Sequence, residues 1–285
     1  MGNMLEQRDG LSPSQIATYR ARGILHPLRA LPGTEADALQ ARFEANAGLI
    51  KGRNNIKPHL LFTWLDALVR DARILDPVES LLGPNLMCWS SQFFAKPAGD
   101  AAYVSWHQDA TYWGLSSNDV LTAWIALTPS TPESGCMQVV NGTHHQQVPH
   151  EDHFDEANLL SRGQEIAVKV EPSDIVNVEL QPGEMSLHHV LLFHGSQPNR
   201  ATHPRVGYAI RYAATHVRQL GPIRDSALLV RGRDEYGYGD AEKPPEADMH
   251  PHAKSRHGMI INNKIKVLYA GAKAHGKLDP DGKQG

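Results

Sequence analysis

The chain reads as mainly β with flanking helices, an antiparallel sandwich or barrel. Two patterns carry that expectation. Beyond residue 85, short apolar runs recur between Gly, Pro and Asn turns. Between most of them no helical periodicity intervenes, which argues against a parallel sheet with crossover helices.

The front of the chain, residues 1–82, is helical in pattern. Ser12-Pro13 opens a helix that runs to about Arg22, with Ser as cap, Pro in the first turn and Gly23 as the stop. Thr34 to about Ala47 is a second helix, with Thr34 and Asp37 as a weak capping box. Leu60–Asp71 and Pro77–Leu82 complete the set, ended by Gly83-Pro84. The strand-like runs are Leu86–Lys96, Tyr103–His107, Leu121–Leu127, Met137–Val140, Glu165–Val170, Ile175–Leu180, Glu184–His189, Leu191–Gly195 and Val206–Ala214. Residues 216–285 read as irregular cover, and the closing AHGKLDPDGKQG as a mobile end. The expected organisation is one domain over 1–285: a helical front, a β core over about 85–215, and the trailing cover.

Composition narrows the function classes. The 285 residues are 41% hydrophobic, enough for a sizeable core. A net charge of −3 without a basic cluster argues against nucleic-acid binding. No apolar run approaches the ~20 residues of a membrane helix, and MGNMLEQRDG has no apolar signal core. Two cysteines, Cys88 and Cys136, exclude a disulfide scaffold and fit a reducing, cytoplasmic setting. The 16 histidines direct the search towards metals.

The pair His107-Gln108-Asp109 ends a strand-like run, AYVSW. On an extended backbone, residues i and i+2 point the same way, so one nitrogen and one carboxylate converge. A third ligand from another strand would complete a facial triad with open positions, the pattern of non-haem iron(II) oxygenases. Two other copies, His150-Glu151-Asp152 and His153-Phe154-Asp155, lie in a polar segment that reads as loop. The third ligand is expected at His194, where the run LLF ends. A turn-rich stretch and a strand starting at Arg205 follow, and a hairpin would bring His194 and Arg205 to one inner face of adjacent strands. A buried arginine needs an anion, and its planar fork suits a carboxylate of a dicarboxylate cosubstrate. Ser196 would donate one more hydrogen bond. Near the triad, Gln108, Tyr112, Trp113 and Arg211 are candidates for contact with a small-molecule substrate. Of His188 and His189, alternation lets at most one reach the site.

These residues resemble the phytanoyl-CoA dioxygenase family. The matching words are WHQDATYWGL, TAWIAL, GCMQVVNGTHH and FHGSQPNRATHPRVGYAIRY, and the likeness extends from LSPSQIATYRARGILHPL to about Tyr212. The resemblance implies a double-stranded β-helix, the cupin-like jelly roll, with extra helices. It implies Fe(II) on His107, Asp109 and His194, with 2-oxoglutarate and O2 as co-reactants. Arg205 and Ser196 match the positions holding the distal carboxylate, and Gln92 and Trp124 those lining the cosubstrate pocket. Asp109 keeps the carboxylate that related halogenases lack, so hydroxylation is the expected outcome. Desaturation, ring formation or epimerisation at the same site, a non-catalytic cupin-like binder, and a zinc hydrolase are the alternatives.

Overall fold

The computed structural model describes residues 10–153, 155–160 and 163–268. Helix α1, Pro13–Arg22, begins at a capping box in which Ser12 Oγ accepts from the Gln15 backbone and the Gln15 side chain accepts from Ser12 N. Gly23, at φ 75°, closes it in the left-handed conformation that favours glycine. Strand β1, Ile24–Arg29, follows directly and is one element the sequence pattern did not suggest. Pro27 argues against a central strand, but β1 is the sheet edge, where a missing N–H is tolerated. Helix α2, Gly33–Asn46, starts after Pro32, a residue earlier than expected, so Thr34 makes no cap.

Helix α3 is Thr63–Val69 and α4 is Ala72–Leu82, capped by Asp71. The second runs through Pro77 rather than starting there. An interior proline costs a helix about 3 kcal/mol; the buried face of Ile74, Leu75 and Val78 offsets that.

Strands β2 (Leu86–Lys96), β3 (Val104–His107), β4 (Val120–Ala126) and β5 (Met137–Val140) come next. The short β6 (His150–Asp152) and β7 (Gln164–Ile166) pair with each other, so the first spare His-x-Asp copy lies on a strand, not in a loop. Then come β8 (Ile175–Val178), β9 (Glu184–His189), β10 (Phe193–Ser196) and β11 (Arg205–Ala214). The trailing segment is more ordered than its composition suggests. It contains β12 (Ser226–Arg231), the two-residue β13 (Asp240–Ala241) and α5 (Pro251–Leu268). The expected mobile end, 274–285, lies outside the described residues.

A seven-stranded sheet has the order β1-β9-β4-β11-β2-β12-β13, and a four-stranded sheet the order β3-β10-β5-β8. The pairings are antiparallel except β12 with β13. This is the cupin-like jelly roll. Alternation along β11 explains the layers. Val206, Tyr208, Ile210 and Tyr212 join the core beneath α3 and α4. Arg205, Ala209 and Arg211 instead face the smaller sheet. Trp124, Met137, Val139 and Ala209 fill part of the space between the sheets. No helix among the described residues is long and apolar enough to cross a membrane.

Candidate metal and cosubstrate site

His107 ends β3 and His194 lies on β10, its antiparallel neighbour, where the two are register partners. Each imidazole Nδ1 donates to a carbonyl two residues back in sequence, His107 to Ser105 O and His194 to Leu192 O, both at 2.9 Å. A carbonyl can only accept, so each Nδ1 carries the proton and each Nε2 presents a lone pair. Asp109 turns towards the same point from the short helix after β3. Its Oδ1 stands 3.5 Å from His107 Nε2 and 4.0 Å from His194 Nε2. The three ligand atoms lie within 4.8 Å of one another, a spacing that suits one metal ion.

The electrostatics agree with that use. Burial opposes ionisation of Asp109, but the neighbouring His107, then His194 and Arg211, outweigh it and hold the carboxyl far below its usual range. Burial, then His107, push His194 well below its ordinary value, which keeps its imidazole neutral and able to ligate.

Arg205 and His194 do not sit on adjacent strands of one hairpin, as the spacing suggested. Their strands belong to different sheets and face each other across a cavity of about 50 Å³. The turn-rich segment between them crosses from one sheet to the other. Arg205 is 3% exposed, its Nε has no hydrogen-bond partner, and no carboxylate among the described residues pairs with it. Its guanidinium lies 5.4 Å from the centre of the Trp124 ring. Ser196 and Trp124 line the same cavity. Gln92 lines the adjoining larger cavity, with Trp113. Arg211 borders both.

Gln108 needs a correction as a substrate contact. Its Nε2 donates to Gln146 O and Leu191 O, and its Oε1 accepts from Val148 N. The side chain is fully buried and its polar atoms are consumed in tying three segments together. The side chain of Tyr112 lies outside the described residues.

Two other residues at the site, Lys96 and Gly207, were not singled out by sequence. Lys96, on β2, is completely buried and donates to Ser196 Oγ at 2.7 Å and to Gln197 O. Its only sequence signal was a charge ending an apolar run. His188 lines the cavity with Nδ1 unpartnered, 4.9 Å from the His194 ring. His189 turns away and accepts from Leu191 N, so alternation indeed admits one of the two. Gly207 leaves room for Trp124: a Cβ there would sit 1.9 Å from the ring.

A jelly roll carrying two histidines and one aspartate at a point between its sheets defines a class of metal-site proteins. Residues 5–207 match the family model for phytanoyl-CoA dioxygenase (PhyH), and the chain belongs to that family. A curated relative from Stutzerimonas stutzeri, named a probable alpha-ketoglutarate-dependent hypophosphite dioxygenase, is 32% identical over 188 residues, 62% of this chain and 63% of the relative. The human peroxisomal phytanoyl-CoA dioxygenase is 28% identical over 146 residues, 50% of this chain and 43% of the relative. The chain thus spans less than two thirds of the length of these curated relatives. Among solved structures, a non-heme monooxygenase, ThoJ in its apo form, superposes with a TM-score of 0.80 at 33% identity, over 90% of this chain and 98% of that one. CytC3 with Fe(II) and alpha-ketoglutarate superposes at 0.65 and 24% identity, over 85% and 96%, and supports the fold.

Proposed function

We propose that the protein is an Fe(II)- and 2-oxoglutarate-dependent dioxygenase that oxidises a small organic molecule, hydroxylation being the expected outcome. One observation carries the reading: an N,N,O ligand set faces a buried arginine that has no anionic partner. His107, Asp109 and His194 would hold the iron, and the orphaned Arg205, with Ser196, would hold the distal carboxylate of 2-oxoglutarate. Iron, 2-oxoglutarate and O2 together supply the oxidising power, yielding succinate and CO2.

The remaining work belongs to the chain. Carbonyls of Ser105 and Leu192 fix the tautomers of both imidazoles. Lys96 occupies the Ser196 hydroxyl oxygen as acceptor, which leaves the Ser196 proton for an anion. Trp124 forms an apolar wall that excludes water from the guanidinium. The two free, buried thiols support a reducing, cytoplasmic setting.

Oxygen uptake and succinate release with Fe(II) and 2-oxoglutarate test the reading. Both should vanish in His107→Ala and Asp109→Ala; undiminished turnover in either would refute it. Tightly bound zinc with hydrolytic activity and no oxygen uptake would replace it.

A further inference from the structure

Beside the triad lies a larger cavity of about 310 Å³. Phe94, Asp109 and Arg211 line both spaces, so they meet at the triad. Its wall on another side comes from α5, through Lys264 and Ile265. The segment that looked like irregular cover in the sequence therefore helps to shape the site.

Two cations face this cavity, and among the described residues no carboxylate makes a direct hydrogen bond or ion pair with either. Arg211 Nε is buried and makes no hydrogen bond, and no carboxylate among the described residues forms an ion pair with the guanidinium. The guanidinium lies 5.4 Å from the Trp113 ring centre and 5.9 Å from that of Phe94. Lys264 Nζ is likewise buried without a hydrogen bond, 3.2 Å from the centre of the Trp89 ring. Burial draws its ammonium down to about 7 against the pull of Asp225, and Arg211 is among the charges that lower it further. Asp225 also lines the cavity and attracts Lys264, but its hydrogen bonds run to other groups: Oδ2 accepts from Trp89 Nε1 at 2.5 Å and Oδ1 from Ser226 N at 2.8 Å. Asp109 is directed at the metal point.

A buried cation with no anion costs several kcal/mol. Two buried cations around one cavity, neither in direct contact with a carboxylate, are explained if an anion completes the site. Much of the remaining wall is apolar: Trp89, Phe94, Trp113, Leu159, Leu160 and Ile265. We propose that this cavity takes the primary substrate as a small organic anion, its carboxylate or phosphoryl-type group held between Arg211 and Lys264 and its apolar body against Trp89, Trp113 and Phe94. The identification of the bound acid as substrate rests on the oxygenase reading above; the anion site itself does not.

Calorimetric titration tests it. The protein is loaded with nickel(II) and saturated with 2-oxoglutarate, so that a second acid cannot occupy the metal pocket. Phenylacetate and phenylphosphonate are compared with neutral phenylacetamide. The acids should bind at least about tenfold more tightly than the amide, and their ranking identifies the preferred anionic group. Lys264→Met, which keeps the aliphatic stem against Trp89, should erase most of the preference, as should Arg211→Met. Lys264→Arg should retain it, and each Lys264 variant should bind 2-oxoglutarate like the parent. If Arg211→Met fails to fold in a thermal melt, the two Lys264 variants decide. Equal binding of acid and amide, no binding of either acid, or a preference that survives Lys264→Met overturns the proposal. Failure of the parent protein to bind 2-oxoglutarate would instead sink the oxygenase reading, and the same acid titration on the metal-free chain would still decide the anion site.

Discussion

Arg205 on β11 is the register partner of Lys96 on β2, so two buried cations occupy one rung of the sheet. Like charges in opposed positions repel. Burial, and then Arg205, bring Lys96 down to about 7. A carboxylate arriving at this rung, as proposed for the distal end of 2-oxoglutarate, would relieve both.

That relationship sets a pH dependence. In the unliganded protein Lys96 is charged below about 7 and neutral above it. A bound 2-oxoglutarate favours the charged form and raises its pKa. Affinity is therefore full below pH 7 and falls as pH rises past it, levelling once the liganded value is passed. Titration of 2-oxoglutarate on both sides of neutrality should show the decline, and Lys96→Met should flatten it. A slope that persists in the variant assigns the proton to another group.

Gly207→Ala should harm both stability and cosubstrate binding. The added Cβ lies 1.9 Å from the Trp124 ring, and Trp124 is the surface on which the Arg205 guanidinium rests. Overpacking of this kind costs about 1–3 kcal/mol. Thermal melting should show the loss and 2-oxoglutarate titration a weakened affinity; if neither changes, Gly207 does not position that ring.

Glu242→Gln should destabilise the fold by about 3–5 kcal/mol, because it leaves Lys57 charged and uncompensated in the interior. Both side chains are completely buried and paired. Burial opposes ionisation of Glu242, yet Lys57 and then His59 outweigh it and hold the carboxyl at about 2. The pair's contribution is thus present above the ordinary value of 4.5 and lost as pH falls from there towards 2. Urea unfolding at neutral and acid pH should show a parent that weakens in acid and a variant that starts weaker and changes less.

Gln108→Leu should cost stability rather than redirect substrate choice. It strands two carbonyls and the Val148 N–H, each worth about 1–3 kcal/mol if left buried and unpaired. A lowered melting temperature is expected. A shift in substrate preference at unchanged melting temperature would return Gln108 to the substrate wall.

Much of the architecture was legible in the chain because its signals are local. Ser12, Pro13 and Gly23 bound a helix through hydrogen bonds within a few residues. The strands of the β core announce themselves by short apolar runs between turns. His107 and Asp109 converge because they are two residues apart at a strand end, which backbone geometry alone dictates.

What folding in three dimensions decided is of another kind. Helix α5 escaped notice because its buried positions, Ala253, His257, Ile261 and Ile265, include a histidine. That histidine is acceptable only because its Nε2 donates to Ile56 O, a partner far away in sequence. Lys96 and Lys264 look like ordinary charges in the sequence. Whether a charge meets water or a closed cavity depends on which strands and helices pack around it, and no local rule carries that information. Alternation could say that Arg205 faces inward; only the crossing of β10 and β11 into opposite sheets turned that direction into a shared cavity with His194.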